Sequence, residues 1–527
     1  MKSSAIVCLA LAAGVASAQW TDDPTANTPV VVKANDQDVA RMAVAPDGSS
    51  WTGWYDFEAG GITVRVQRLD ADGNQTFGPD GLLVSNHAQN TFVVGWDLGV
   101  DAAGNVMLTF VDIRAGGDND VYAYLIAPDG TFLWGPDGVA ISDNSDYEAN
   151  PVITQLIGGQ YAVVWPRYDS APGLYLQVLD ASGTTLLSPG GIRIAGNGTE
   201  APAFQEIAPI DDGDFILSFV RDTATFLSPR HVMAQKYGLD GTQRWGSAPV
   251  VVSNATSVPI AHLPSLVLDA DQHAVIAWHD TRDGDFDCYV QRLDGSGNPV
   301  FVANGVAVST ELARQQIGPA VAVEPGGDVM VAFRNLDGAQ NIQGLNVQRI
   351  DGDGVRALGN SGVVLLPYDN QYNGTPLAVS DAGGIAILTA LEPNSSVGNF
   401  DDVLKLLRVD ASGALIDGAP IDLATTASQK FRLNFSRTPD GGYLVAWDDD
   451  RNGNQDIYAQ KVNADGSLGG SGCLADLTGD GILDLADVQL FISSFIAGNL
   501  LADVTGDGIL DLADVQLFVA SFVAGCP

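Results

Sequence analysis

The sequence predicts a mainly β protein, an about eight-bladed β-propeller closed by an N-terminal strand and followed by a small α-helical domain. Three observations carry that prediction. A phrase with room for four short strands recurs eight times between residues 19 and 470. The eighth copy lacks its final strand, and an unmatched strand of the same kind stands near the start of the chain. Beyond the repeats, the fourteen residues Thr478 to Phe491 return letter for letter as Thr505 to Phe518.

The first element is a leader. Lys2, the apolar stretch Ala5 to Val15 and then Ala16-Ser17-Ala18 read as a secretory signal over residues 1–18, cleaved before Gln19. A secreted, extracellular or cell-surface protein is therefore expected. No later apolar run reaches the roughly eighteen residues that span a bilayer, so no membrane span is expected.

The repeats come next, and self-similarity at a fixed period is the mark of a repeat architecture. The phrase is clearest in AWHDTRDGDFDCYVQRLDGSG from Ala277 and AWDDDRNGNQDIYAQKVNADG from Ala446. Its frame runs through Gln67, Tyr124, Gln177, Gln235, Gln291, Gln348, Leu407 and Gln460, at spacings of 57, 53, 58, 56, 57, 59 and 53 residues. Radial closure of such units removes the sheet edges that an open array leaves exposed. Pro29-Val30-Val31-Val32 resembles Pro249-Val250-Val251-Val252 and Pro420-Ile421-Asp422-Leu423, which end their units, so the N-terminal strand is expected to complete the last blade. A seven-bladed ring with an extra sheet and a β-solenoid are the competing arrangements.

Within the repeats, W-x-D-x-R occurs as Trp278, Asp280, Arg282 and as Trp447, Asp449, Arg451, with Phe110, Asp112, Arg114 as a variant. An Asp and an Arg so spaced form a charge-assisted pair that pins a loop. A catalytic group occurs once per site, whereas this motif returns in three blades, so blade architecture is the better reading. Cys288 aligns with Val121 and Ile457, and strand alternation places all three on one buried face as inert core.

The end of the chain carries the most specific chemistry. Counting from Asp476, oxygen-bearing side chains fall at loop positions 1, 3, 5, 9 and 12, namely Asp476, Thr478, Asp480, Asp484 and Asp487; the second copy supplies Asp503, Thr505, Asp507, Asp511 and Asp514. Gly481 and Gly508 hold position 6, where the loop must turn sharply, and Ile482 and Ile509 hold position 7, which contributes a backbone carbonyl. A hard cation takes six to eight oxygens, so each copy reads as a Ca2+ loop and the pair as two ions. Val488, Phe491, Phe495 and Val515, Phe518, Phe522 then give each loop an amphipathic helix.

Two such half-hands in tandem resemble a type I dockerin module over residues 473–527, behind a repeat region distantly similar to bacterial secreted propeller repeats. The resemblance implies calcium-dependent docking onto a cohesin-like partner through loop positions 10 and 11, here Leu485, Ala486, Leu512 and Ala513. Many members of the family carry a hydroxyl pair there. Of four cysteines, Cys8 lies in the leader, and a Cys473–Cys526 bridge would join the ends of the module. Closing about fifty residues, such a bond is worth roughly 4 kcal/mol in an oxidising compartment.

Charge and motifs exclude several classes. With 64 acidic against 25 basic residues the chain carries −39, which repels a phosphate backbone, so no nucleic acid partner is expected. No P-loop, dinucleotide fingerprint, zinc-protease motif or nucleophile elbow occurs, and the sialidase Asp-box is not matched because the glycines of Asp129-Gly130 and Asp240-Gly241 fall one position early. A glycosidase needs two carboxyls about 5–10 Å apart; Glu58 and Glu392 are candidates, with solvated loop residues as the plainer reading. The expected role is a non-catalytic propeller that binds or scaffolds, possessing a polysaccharide as its foremost candidate ligand, with a glycoside hydrolase or polysaccharide lyase, or a structural surface component, as alternatives. The variable loops near Tyr168, Thr223 and Asn394 are where a ligand site is expected.

Overall fold

A computed structural model of the chain describes residues 20–89, 95–168, 172–196, 200–222, 229–259, 263–311, 313–369, 372–392, 401–469, 475–478, 483–504 and 509–524. It contains eight antiparallel sheets, seven of four strands and one of five. The first strands are Gln37–Val44, Asp97–Val100, Val152–Gln155, Ala201–Pro209, Ser265–Leu268, Gln315–Val323, Leu377–Asp381 and Lys430–Arg437. Each contacts the first strand of the sheets before and after it, and Lys430–Arg437 returns to Gln37–Val44, so these strands ring a central axis. The eight-bladed ring is thus the observed fold, in place of a seven-bladed ring or a solenoid.

The last blade is completed as the sequence predicts. Its strands are ordered Thr28–Val31, Asp456–Val462, Tyr443–Asp449, Lys430–Arg437, and Thr28 pairs with Ala459. The N-terminal contribution is larger than one strand. Trp20, 5% exposed, donates its indole N–H to the carbonyl of Ala71 at 2.9 Å. Trp134 and Trp245 do the same to Ala181 and Gly295 in the turns of their following blades. The short chain from Trp20 to Val31 therefore replaces a whole half-repeat.

The Gln that marks the frame has a physical role. In the third strand of its blade, Gln291 donates to the carbonyl of Val302 at 2.9 Å and accepts from the Phe301 N–H at 3.0 Å. Gln67, Gln177, Gln235 and Gln348 hold their own connections in the same two-sided way. Every one is fully buried, where an unpaired amide would be costly. Gln460 makes the equivalent bonds to the far end of the chain, donating to Thr21 O at 2.7 Å and accepting from Asn27 Nδ2 at 2.9 Å.

The W-x-D-x-R motif is likewise architecture. Arg114, Arg282 and Arg451 pair with Asp112, Asp280 and Asp449 at 2.5–2.6 Å and lie over the rings of Tyr122, Tyr289 and Tyr458. Their remaining N–H groups reach the carbonyls of Asp137, Asn304 and Ala26, fixing the approach to the fourth strand. Arg167 is a fourth version that the motif does not reveal. It lies over Tyr175 at 3.9 Å but takes its carboxylate from Glu148, on a different loop. Cys288, Val121 and Ile457 are all 0% exposed, as alternation predicts.

The two ends of the ring differ. The turn between first and second strands is five residues long in seven of the eight blades, and six blades join third to fourth strands through twelve residues. At the opposite end, second-to-third and fourth-to-first connections range from one residue to eleven. The loops near Tyr168, Thr223 and Asn394 all belong to this variable end; Thr223 and Asn394 themselves lie outside the described residues.

Candidate functional site

Two places on the chain gather chemistry: the C-terminal loop–helix pair and the mouth of the propeller axis. The C-terminal helices are α1, Leu485–Ala497, and α2, Leu512–Ala524. Asp484 caps α1 by accepting from the Ala486 N–H at 2.6 Å, and Asp511 caps α2 through Ala513 at 2.7 Å. The helices pack through Phe491 and Phe518, whose rings stack 4.0 Å apart, with Val488, Phe495, Val515 and Phe522 around them. The repeated apolar stripe thus forms the contact between the two copies.

At loop position 12, Asp487 and Asp514 are each 0% exposed. Asp487 accepts from the Thr478 N–H at 3.0 Å and hydroxyl at 2.9 Å, and from the Asp484 N–H at 3.0 Å. Burial opposes its charge, but those donors outweigh it and hold its pKa below the usual carboxylate range. Asp514 accepts from the Asp511 N–H at 2.9 Å. The buried carboxylate at position 12 of the first loop is thus bonded to positions 3 and 9.

The donors are all oxygen, and a carboxyl group buried at the close of each loop fits a hard divalent cation. Asp480, Ile482, Thr505 and Asp507, with Gly481 and Gly508, lie outside the described residues, as do Cys473 and Cys526. Among the described residues no three His, Cys, Asp or Glu side chains gather closely enough to hold a metal. Leu485 and Leu512 are each 66% exposed, and Ala486 and Ala513 are exposed beside them. Ile492 and Ile496 on α1 and Val519 and Val523 on α2 are likewise at least half exposed. Loop sequence alone did not point to those four.

In the propeller, four of the eight first strands bulge as they leave the variable end. Val39, Phe204, Gly318 and Arg432 adopt φ of 61°, 54°, 62° and 48° there. A β-branched Val in that region is strained and persists only where its surroundings enforce it. Here the buried Asp448 carboxyl accepts from the Val39 N–H at 2.9 Å and the Ala40 N–H at 3.2 Å, across the seam between the last and first blades. Asp97 and Glu206 bind the next blade similarly, accepting from Ile153 at 2.9 Å and Leu266 at 2.6 Å.

Burial raises the pKa of Asp97, and it pushes Glu206 up to about 7, helped by the charge of Asp97 and opposed by the Leu266 N–H and by Arg41. The axis thus holds a carboxyl that is half protonated near neutrality. Sequence reasoning missed these residues because the repeated phrase does not include the first strand. Of the candidates it named, Glu58 is held by Arg65 at 2.9 Å and Lys33 at 3.5 Å, and Glu392 lies at a strand end near Asp402 and Asp401. No hydrogen bond or ion pair joins Glu58 to Glu392 among the described residues.

No known protein-family profile matches the sequence, and no curated protein does. Among solved structures, puromycin hydrolase superposes over 82% of this chain with 13% identity and a TM-score of 0.43; the chain covers 61% of that protein's length. A polysaccharide lyase, an ulvan lyase, matches over 85% of this chain and 96% of its own, with 10% identity and a TM-score of 0.44. An α-L-arabinanase from Penicillium chrysogenum matches over 60% of this chain and 94% of its own, with 14% identity and a TM-score of 0.32. These likenesses are of general architecture and assign no site.

Proposed function

We propose that this is a secreted protein that attaches, through a calcium-dependent dockerin-like module, to a cohesin-like partner in an extracellular or cell-surface assembly. Its propeller serves as a binding or scaffold domain in polysaccharide binding or breakdown. The observation that carries the docking half is the duplicated loop–helix pair. Two buried loop-closing carboxylates, Asp487 and Asp514, stand beneath two exposed apolar faces that begin at Leu485 and Leu512. Bound Ca2+ would supply the charge that holds Asp476, Asp480, Asp484 and Asp487, and their counterparts, together.

The propeller half is supported by the confinement of variable connections to one end of the ring, the arrangement by which a rigid scaffold presents a site. A second reading, a glycoside hydrolase or polysaccharide lyase delivered by the same module, is favoured by Glu206. A carboxyl near pKa 7 beside another carboxyl at the axis has the protonation a general acid needs.

One experiment separates the readings. The full chain is incubated with a panel of polysaccharides, scoring retention and the release of reducing or unsaturated ends. Retention without release supports the binding role, and release that Glu206→Gln abolishes supports the enzyme. Calcium titration of the same protein should give two ions per chain.

A further inference from the structure

Arg41 and Arg432 stand apart in a chain of −39. Both are exposed on innermost strands, at the variable end, and neither guanidinium makes a hydrogen bond, ion pair or ring contact among the described residues. Arg41 lies between the buried Ala40 and Met42 and is itself exposed on the innermost strand of its blade. The two arginines belong to adjacent blades joined by one amide. Asn434 donates to Ala40 O at 3.1 Å and to Arg432 O at 2.6 Å, and accepts from the Met42 N–H at 3.1 Å. Residues on both sides of Arg41 and the carbonyl of Arg432 thus meet at a single side chain, within the span of two extended arginines.

Arg41 lies within charge range of Asp97 and Glu206 but forms an ion pair with neither among the described residues. Asp97 and Glu206 turn oxygens to the backbone of the next blade, and Asp448 gives its oxygens to Val39 and Ala40 beside Asp38. Burial first, and for Glu206 and Asp448 a nearby carboxyl as well, shifts all three toward the neutral form. Phe431, next to Arg432 in sequence, is 39% exposed. Two unpaired guanidinium groups and an exposed aromatic residue on adjacent innermost strands suit a sugar ring that carries an anionic substituent, the guanidinium fork matching a carboxylate or sulfate.

The geometry points to an acidic-saccharide site at the mouth of the axis, in which Arg41 and Arg432 hold a carboxylate or sulfate group and Phe431 packs on the sugar ring. This rests on the reading of the propeller as a polysaccharide-binding domain and names its ligand class. General attraction cannot imitate such a site, because the net charge of the chain repels polyanions.

The test is affinity electrophoresis of the full chain at about 0.15 M salt, where long-range charge is screened within about 8 Å. The probes are polygalacturonate, its methyl ester, dextran sulfate and unsubstituted dextran. Retention by polygalacturonate or dextran sulfate over its neutral counterpart is expected, and which of the two is retained identifies the group. Arg41→Gln and Arg432→Gln should each weaken retention about ten-fold, with Lys substitutions intermediate because charge remains but the fork is lost. Both side chains are exposed, so unchanged melting temperatures serve as the folding control.

Equal retention of charged and neutral polymers, or acidic retention untouched by either arginine variant, overturns this site while leaving the polysaccharide-binding reading in place. Retention of none of the four probes, or of any wider panel, overturns both.

Discussion

The guanidinium of Arg451 holds the carbonyl of Ala26 at 2.9 Å, across 425 residues of sequence, while pairing with buried Asp449 at 2.6 Å. A motif that in other blades secures a local turn here fastens one end of the chain to the other. Arg451→Ala leaves a buried carboxylate short of its main partner and releases the N-terminal segment. A loss of about 3 kcal/mol is expected in urea denaturation, more than for Arg282→Ala, whose equivalent bond is local.

Gln291 shows what the repeated residue is for. Replacing it with Ala removes a bond in each direction from a buried site, orphans the N–H of Phe301 and leaves the carbonyl of Val302 with the Gly305 N–H alone. The expected cost is about 2–4 kcal/mol, read as a lower melting temperature, and Gln291→Glu should be no better because a carboxylate cannot donate to Val302.

Those two residues also explain how far the sequence could be read. Blade number, closure and the structural role of W-x-D-x-R were legible because the same physical demand, a buried connection needing fixed partners, selects the same residue in blade after blade. Arg167 escaped because its acid, Glu148, sits on another loop, so no local spacing records the pair. Arg41, Asp97 and Glu206 escaped because first strands are defined by what crosses between blades, and in the strands of Arg41 and Glu206 a bulge also breaks the alternation. The spacing of the C-terminal acids suggested a metal loop without its helix contacts, whereas the exposed Ile492, Ile496, Val519 and Val523 need the helix packing to tell outward from inward.

Glu206 gives a pH dependence of definite sign. Its folded pKa, about 7, lies above that of an unfolded carboxyl, so between about pH 4.5 and 7 the folded state binds more protons than the unfolded. Stability contributed by this group is therefore greatest at low pH and falls as pH rises through that window. Comparing urea denaturation at pH 5 and pH 8, Glu206→Gln should flatten the change by about 2 kcal/mol.

For the C-terminal module, Asp487→Asn and Asp514→Asn should each reduce bound calcium from two ions to one, measured by equilibrium dialysis of the full chain. Chelation of the parent protein should lower the helical signal in circular dichroism and leave the β signal of the propeller intact. Two ions retained in both variants would sink the loop assignment.

Cys288 is fully buried, and burial raises its thiol pKa well above the ordinary value. Protein comprising residues 19–527, prepared under oxidising conditions, should show no thiol reactive toward a disulfide reagent when folded and one when denatured. Three thiols on denaturation would mean that Cys473 and Cys526 are unbridged.

The half-repeat from Trp20 to Val31 also dictates an order of events. Seven blades can be built from neighbouring hairpins as soon as their residues are present, but the eighth needs segments made first and last, and the entropy of joining them must be met in one late step. Until then the strand Asp456–Val462 presents an open edge that any copy of Thr28–Val31 can fill, including one from another molecule. At high concentration during refolding, the same pairing that seals a ring links chains head to tail, so dilution favours closed monomers and crowding favours strand-exchanged assemblies.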